Sequence, residues 1–143
     1  MSLDASPIVP GLWQGSAPTS VADLRQHGID LLVLCAVEIQ PSDAALRGIS
    51  FMRVPLTDDG RMPDAEWDLA FESGCVVAQL VREGHQVLVT CAMGRNRSGL
   101  VSAIALHVLT GKPGSTCVDW VQRRRPNALT NPAFVAALTA RLL

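Results

Sequence analysis

A cysteine followed six residues later by an arginine and a serine is the part of the chain best suited to chemistry. The segment CAMGRNRS (91–98) lies between the apolar runs HQVLVT (85–90) and SGLVSAIALHVLTG (98–111). The two runs predict a buried strand and an apolar helix, which places the cysteine at a strand-to-helix turn. In such a turn, successive backbone N–H groups can converge on one anion, and the helix dipole adds positive potential.

These residue types favour nucleophilic attack on a bound phosphate. Arg97 presents a planar fork that matches two phosphate oxygens. A positive environment favours the thiolate form of Cys91, which is the nucleophilic form. The alternative is a cysteine that only fills space at a strand end. A Walker A loop is excluded because that motif needs Gly-Lys-Ser/Thr where this chain has Asn-Arg-Ser.

The elements around this turn form an alternating pattern along the chain. We predict strands at 8–16, 30–37, 50–56 and 85–90. We predict helices at 19–28, 64–84, 98–111, 115–125 and 131–143. Asp64 or Pro63 opens the second helix, with Asp64 favoured as its N-cap, and Asn131 caps the last. Strands alternate with helices early, and helices dominate later. This order predicts an α/β fold with a central, mainly parallel sheet of about four to five strands flanked by helices.

Length and composition predict one domain over residues 1–143. A chain of 143 residues with 48% hydrophobic residues can bury a substantial core. The net charge of −1 gives no general attraction to nucleic acid, so no nucleic-acid partner is expected. No apolar run approaches the roughly 18–20 residues of a membrane span. The first ten residues also lack the basic and apolar regions of a secretory signal, which predicts a cytoplasmic protein.

The cysteines and histidines do not have the spacing of a metal site. The four cysteines are Cys35, Cys75, Cys91 and Cys117, and no two of them form a C-x2-C pair. The three histidines are scattered along the chain. We therefore predict no metal and no cofactor, and we expect Cys75 and Cys117 to pack in the core.

The loop and its flanks together resemble a known family. The segment 91–98 resembles the C-x5-R-[ST] signature of the cysteine-dependent protein tyrosine phosphatase superfamily. IVPGLWQGSAP resembles the opening strand of its dual-specificity phosphatase branch, and FMRVPLTDDG resembles the strand and loop that carry the general acid. VQRRRPNALTNPAFVAAL resembles the closing pair of helices. The resemblance extends from residue 8 to about residue 142.

The resemblance implies metal-independent hydrolysis of phosphomonoesters through a phosphocysteine on Cys91. Arg97 and the loop amides would hold the phosphate oxygens, and Ser98 would donate a hydrogen bond to the sulfur. The implied phosphate-binding residues are Ala92, Met93, Gly94, Arg95, Asn96 and Arg97. Expected substrates are proteins that carry phosphotyrosine, phosphoserine or phosphothreonine, or small phosphoesters. Expected inhibitors are phosphate, vanadate and sulfate. Phospholipid and nucleotide phosphates remain alternative substrates, on the basis of the single residues Arg95 and Asn96. Arg95 could equally be a solvated side chain.

The leaving oxygen needs a proton, and PLTDD supplies two candidate acids. The family pattern places the acid three residues after the proline, which favours Asp58. Asp59 is the alternative. Both residues also suit a turn at Asp-Asp-Gly, so one of them can have that structural role.

One position departs from the family pattern, because Thr90 stands where the family usually has histidine. Threonine can form a hydrogen bond but carries no charge, so we expect slower turnover. The alternative is a phosphate-binding module that has lost turnover. Rhodanese and arsenate reductase chemistry are disfavoured by the C-x5-R-S spacing and the position of the cysteine loop.

Cys35 and the basic run at 123–125 are two further features of the sequence with alternative interpretations. Cys35 ends the run LLVLC, and a cysteine at a similar position in some related enzymes forms a disulfide with the oxidised nucleophile. Core packing is the alternative for Cys35. The basic run at 123–125 ends a helix, where solvated arginines are the default. One of them could instead fix the C-terminal helix or border the active site.

Overall fold

The structure, a computed structural model, describes residues 3–143, and five strands and five helices are assigned in that range. The strands are β1 (Ala5–Val9), β2 (Leu12–Ser16), β3 (Leu31–Ala36), β4 (Ser50–Leu56) and β5 (Val87–Cys91). The helices are α1 (Val21–Gln26), α2 (Asp64–Arg82), α3 (Arg97–Thr110), α4 (Gly114–Arg124) and α5 (Pro132–Arg141).

The five strands form one sheet in the order β1-β2-β5-β3-β4. The β2–β5, β5–β3 and β3–β4 pairs are parallel, and only the edge pair β1–β2 is antiparallel. The predicted α/β fold with a mainly parallel sheet is therefore confirmed. The prediction of one strand over 8–16 is wrong, because Gly11 adopts a φ of 89° and turns the chain back into a hairpin.

Strand β5 lies in the middle of the sheet and is buried along its whole length. Alternate side chains of a strand point to opposite faces. Val87, Val89 and Cys91 accordingly pack into the larger core cluster, which includes residues of α2, α3, α4 and α5. Leu88 packs instead with Leu24 of α1. The catalytic candidate Cys91 thus points into the layer that holds four helices.

The capping residues in the structure test three of the predicted helix boundaries. Asn131 caps α5 by accepting a hydrogen bond from the Ala133 N–H at 2.9 Å, as expected. Of the two residues expected to open α2, Pro63, in extended backbone, is the N-cap, and the preference for Asp64 is wrong. Asp64 is the first helical residue, and its carboxylate pairs with Arg141 at 2.8 Å. Helix α3 ends at Gly111, whose φ is 72°.

Cys75 and Cys117, the two cysteines expected in the core, differ in their burial. Cys117 is fully buried, as predicted, whereas Cys75 is only partly buried on α2. Within residues 3–143, none of the helices combines the length and the apolar character that crossing a membrane would require.

Candidate active site

The loop between β5 and α3 makes a tight turn at Gly94. Its φ is 69°, and a Cβ at this position would lie 2.4 Å from the backbone carbon of Gly15 and 2.6 Å from the Arg125 guanidinium. Only glycine fits both the backbone conformation and the space. The loop therefore lies directly against the end of β2.

The backbone carbonyls of this loop accept hydrogen bonds from donors outside it. The pairs are Ala17 N to Ala92 O at 3.3 Å, Arg125 Nη2 to Met93 O at 3.1 Å, Leu129 N to Arg95 O at 3.0 Å and Leu100 N to Asn96 O at 2.8 Å. In a trans peptide the carbonyl and the following N–H point in opposite directions. Holding the carbonyls outward turns the N–H groups of the next residues away from these donors and toward the cleft.

Cys91 lies at the floor of that cleft, next to the first turn of α3. Its Sγ is 3.2 Å from the Oγ of Ser98, and both side chains are buried. The cleft has a volume of about 180 Å³. Its lining residues are Asp58, Cys91, Ala92, Met93, Arg95, Asn96, Arg97 and Thr130. The structure thus brings Asp58, Cys91 and Arg97 to one cavity.

Arg97 is buried and forms a bidentate ion pair with Glu38, a residue that the sequence analysis did not identify. Nη1 donates to Oε1 at 2.5 Å, and Nη2 donates to Oε2 at 2.7 Å. Nη1 also donates to the Leu56 carbonyl at 3.2 Å. Hydrogen bonding to Arg97 lowers the pKa of Glu38 to about 2, and the reciprocal bond raises the pKa of Arg97. Glu38 lies two residues after the end of β3, and this position beside the loop is the signal that could have identified it.

Asp58 is held over the loop by two side-chain amides. Its Oδ1 accepts from Asn131 Nδ2 at 2.7 Å, and its Oδ2 accepts from Asn96 Nδ2 at 3.1 Å. Asp59 does not line the cleft; its backbone carbonyl accepts from the same Asn131 amide at 2.7 Å. Of the two candidate acids, the structure places Asp58 at the cleft and Asp59 next to it, outside the residues that line the cleft.

Asn96 connects the loop between β5 and α3, the candidate phosphate loop, to the segments that carry Asp58 and Asn131. While its Nδ2 donates to Asp58, its Oδ1 accepts from the Asn131 N–H at 2.9 Å. The same side chain also contacts the Thr130 hydroxyl at 3.4 Å. Asn96 therefore fixes the candidate acid relative to the loop that would hold the phosphate. The sequence analysis identified Asn131 only as a helix cap and did not foresee this second role.

One of the three arginines at 123–125 departs from the default of a solvated helix end, as the alternative allowed, because Arg125 contacts the loop after β5. Arg123 and Arg124 are exposed, but Arg125 is only 9% exposed. Helix α4 ends at Arg124, and Arg125 has φ −134° and ψ 89°, so its side chain leaves the helical path and turns inward. Its Nε donates to the Gly94 carbonyl at 2.6 Å. Its Nη1 and Nη2 bind the two carboxylate oxygens of Asp4 at 3.0 and 2.9 Å.

Thr90 and Cys35 lie beside Cys91. The buried Thr90 hydroxyl donates to the Val33 carbonyl at 2.8 Å, which directs it toward β3. Leu34 pairs with Thr90 in the parallel β3–β5 register, so Cys35 follows at the level of Cys91 on the neighbouring strand. Burial, followed by the neighbouring Cys91, raises the pKa of the Cys35 thiol well above its ordinary value.

No group of three or more histidine, cysteine and acidic side chains suited to a metal ion occurs in residues 3–143. Arg95 lies exposed on the rim of the cleft, where it also borders a second polar recess with Arg125 and Asn127.

Comparison with known proteins identifies relatives over nearly the whole chain. Residues 12–141 match the family model of the dual specificity phosphatase catalytic domain. The chain is 32% identical over 134 residues to human dual specificity phosphatase 28, covering 92% of this chain and 73% of the relative. The crystal structure of that human protein has a TM-score of 0.80 and 28% identity, covering 96% of this chain and 92% of the other. A mouse dual specificity phosphatase complexed with zinc tungstate has a TM-score of 0.81 and 28% identity, covering 96% and 86%.

The Glu38–Arg97 pair predicts a pH-dependent contribution to stability. Because the pKa of Glu38 falls from 4.5 to about 2 on folding, the pair stabilises the protein fully above about pH 4.5 and loses this effect as pH falls toward 2. The Glu38 side chain is 53% exposed, so solvent screening limits the effect to about 1 kcal/mol. Urea denaturation of Glu38→Gln at pH 7 should show that loss.

The difference between the Glu38→Gln variant and the wild type should shrink as the pH is lowered from 4.5 toward 2. The control is Glu72→Gln, which removes an exposed carboxylate on α2 that has no ion pair within residues 3–143. A constant difference for Glu38→Gln over this pH range would contradict the ion-pair assignment.

Proposed function

Because the chain belongs to the dual specificity phosphatase family, we propose that it hydrolyses phosphomonoesters through a covalent phosphocysteine on Cys91. The observation that carries this proposal is the position of Cys91 Sγ, 3.2 Å from Ser98 Oγ at the floor of the cleft that Asp58 and Arg97 also line. Family membership supports a dual-specificity protein phosphatase, and this geometry supports the proposed roles of the individual residues.

In the first step, a phosphate group would sit on the loop with its oxygens facing the backbone N–H groups. Arg97 adds positive charge. Its Nη1 donates to Glu38 and to the Leu56 carbonyl, and its Nη2 donates one N–H to Glu38. Within residues 3–143, the buried Nε–H and the second N–H of Nη2 are left for phosphate oxygens. The Cys91 thiolate attacks phosphorus, and the bond from phosphorus to the leaving oxygen breaks. Asp58 transfers a proton to that oxygen as it takes up the electron pair.

In the second step, water attacks the phosphorus atom and the sulfur–phosphorus bond breaks. The Asp58 carboxylate accepts a proton from this water, which regenerates the acid for the next cycle. The sulfur leaves as a thiolate, and the Ser98 hydroxyl is within hydrogen-bonding distance to stabilise it. Inorganic phosphate is the second product. Neither step uses a metal ion, because the loop amides and Arg97 supply the positive field.

We propose phosphorylated proteins or small phosphoesters as substrates, and vanadate, phosphate and sulfate as competitive inhibitors. The mouse relative was solved with tungstate, an oxyanion of the same tetrahedral shape as phosphate. The small cleft and exposed Arg95 on its rim are compatible with several phosphate-bearing groups, including phospholipids and nucleotides. A thiolate nucleophile needs reducing surroundings, which supports a cytoplasmic location.

The first test is hydrolysis of p-nitrophenyl phosphate in excess chelator, with Cys91→Ser as the matched variant. We expect wild-type turnover to be unaffected by chelator and to fall at least 1,000-fold in Cys91→Ser, because the nucleophile is lost. Chelator-sensitive turnover would contradict the mechanism. Vanadate binding without turnover would instead support a phosphate-binding module, and Thr90→His would then be the variant to test for restored activity.

The second test separates the two candidate acids by their pH–rate profiles. A general acid must be protonated to act, so turnover should fall as pH rises above the optimum. We expect Asp58→Asn to remove this fall and to lower kcat about 100-fold, because only Asp58 lines the cleft. Asp59→Asn is the control, since only its backbone carbonyl contacts Asn131. The reverse pattern would assign the acid to Asp59.

We also propose that Cys35 protects the nucleophile from irreversible oxidation. Adjacent strands lie about 4.8 Å apart, which is within the range of Cα separations that a disulfide spans. Hydrogen peroxide would oxidise the Cys91 thiolate to a sulfenic acid. The Cys35 thiol would then displace water from that sulfur and form a Cys35–Cys91 disulfide, which thiol reductants reverse.

The test of the Cys35 proposal is peptide mapping after mild peroxide treatment, followed by dithiothreitol. We expect a Cys35–Cys91 peptide and recovery of at least half of the activity. In Cys35→Ala, inactivation should become irreversible because Cys91 is oxidised further. Cys117→Ala is the control, since Cys117 is also fully buried but lies on α4. Recovery by Cys35→Ala equal to that of the wild type would exclude the proposal.

A further inference from the structure

A glutamine is completely buried on the sheet face that otherwise packs against the helices. Gln14 lies in β2, on the same face as Leu12, and its side chain has no exposed surface. Its Nε2 donates to the Gly94 carbonyl at 3.0 Å and lies 3.5 Å from the Arg95 carbonyl. Both acceptors belong to the phosphate loop, about 80 residues away along the chain.

The orientation of this amide is determined by its neighbours. Two carbonyl oxygens lie on one side of it, so the NH₂ group must face the loop and the oxygen must face away. The Gln14 oxygen has no partner in residues 3–143. Burying an amide is costly unless it makes hydrogen bonds, and here every bond that the side chain makes is to the loop.

The Gly94 carbonyl is held by two donors. Arg125 Nε donates to it at 2.6 Å, and Gln14 Nε2 donates at 3.0 Å, which satisfies both lone pairs of the oxygen. This oxygen belongs to the peptide that carries the Arg95 N–H. With the carbonyl held outward at two points, the Arg95 N–H is directed into the cleft.

The Gly94–Arg95 peptide is the part of the loop whose orientation most needs to be held by other residues. Gly94 has no Cβ and adopts a φ of 69°, so its backbone can rotate more easily than that of other residues. Rotation of the Gly94–Arg95 peptide would replace an N–H donor in the phosphate cradle by a carbonyl oxygen. A carbonyl there would repel the phosphate oxygens that the amide should bind.

We propose that Gln14 is a positioning residue that holds the Gly94–Arg95 peptide with its N–H directed at the substrate phosphate. This role rests on the proposed phosphatase function of the same loop. Gln14 is uncharged and lies within the sheet, whereas Arg125 reaches the same carbonyl from the end of α4. The two side chains therefore provide independent supports for one peptide.

The test compares wild type with Gln14→Met, which has a similar shape but no hydrogen-bond donor. We expect kcat/KM for p-nitrophenyl phosphate to fall about tenfold, mainly through kcat. The orthovanadate inhibition constant should rise by a similar factor, because vanadate binds to the same amides. The control is Ser73→Ala, which removes a buried hydroxyl bonded to Leu69 within α2. It should leave both constants within twofold of wild type.

Gln14→Glu supplies a readout that a purely structural role would not change. An ionised glutamate would place oxygen against the Gly94 carbonyl, whereas a protonated glutamic acid can donate to it. Activity relative to wild type should therefore recover by at least fivefold as the pH falls from 8 to 5. A flat ratio over this range would overturn the proposal, even if Gln14→Met does not fold.

Calorimetric titration of orthovanadate distinguishes failure of this proposal from failure of the phosphatase function. If the wild type binds vanadate without turnover, a tenfold weaker binding by Gln14→Met would still support the positioning role. Unchanged vanadate affinity in folded Gln14→Met would overturn it, whatever the activity of the wild type. Loss of affinity in Ser73→Ala to the same degree would also overturn it, because the effect would then follow from core stability alone.

Discussion

A trans peptide directs its carbonyl and its N–H to opposite sides, and the phosphate loop depends on this constraint. An inward set of amides requires an outward set of carbonyls, and each outward carbonyl needs a donor in the surrounding protein. The fold supplies these donors from the end of β2, from the end of α4 and from the segment before α5. The central position of β5 brings all three within reach of the loop that follows it.

The charged side chains of the site are also held in place by hydrogen-bonding partners. Glu38 holds the Arg97 guanidinium in place, while Asn96 and Asn131 hold both oxygens of Asp58. The candidate acid Asp58 is therefore held relative to the loop in the absence of a substrate. Asn96 belongs to the loop itself, so a displacement of the loop would also displace Asp58. In the proposed mechanism, this side chain would couple the positioning of phosphate to the delivery of the proton.

Local sequence patterns predicted the elements and the candidate residues that the structure brings to one cleft, but not the residues that support them. Alternating apolar runs were sufficient for the parallel sheet, and the spacing of Cys91, Arg97 and Ser98 was sufficient to locate the loop. The supporting contacts join residues far apart in sequence, such as Glu38 with Arg97 and Arg125 with Asp4. No periodicity encodes such a pair. The sequence did not distinguish Arg125 from the exposed Arg123 and Arg124, because the inward direction of its side chain follows from backbone angles beyond the end of the helix.

The distribution of these supports along the chain has a consequence for biosynthesis. Cys91 and Arg97 are made before Arg125 and Leu129, which hold the carbonyls of Met93, Gly94 and Arg95. A nascent chain emerging from the ribosome therefore carries the cysteine well before it can assemble the amide cradle. Cys91 acquires these loop supports only after translation has passed residue 129. Late synthesis of the supports therefore delays assembly of the proposed phosphate-binding loop until residues 125–129 have been made.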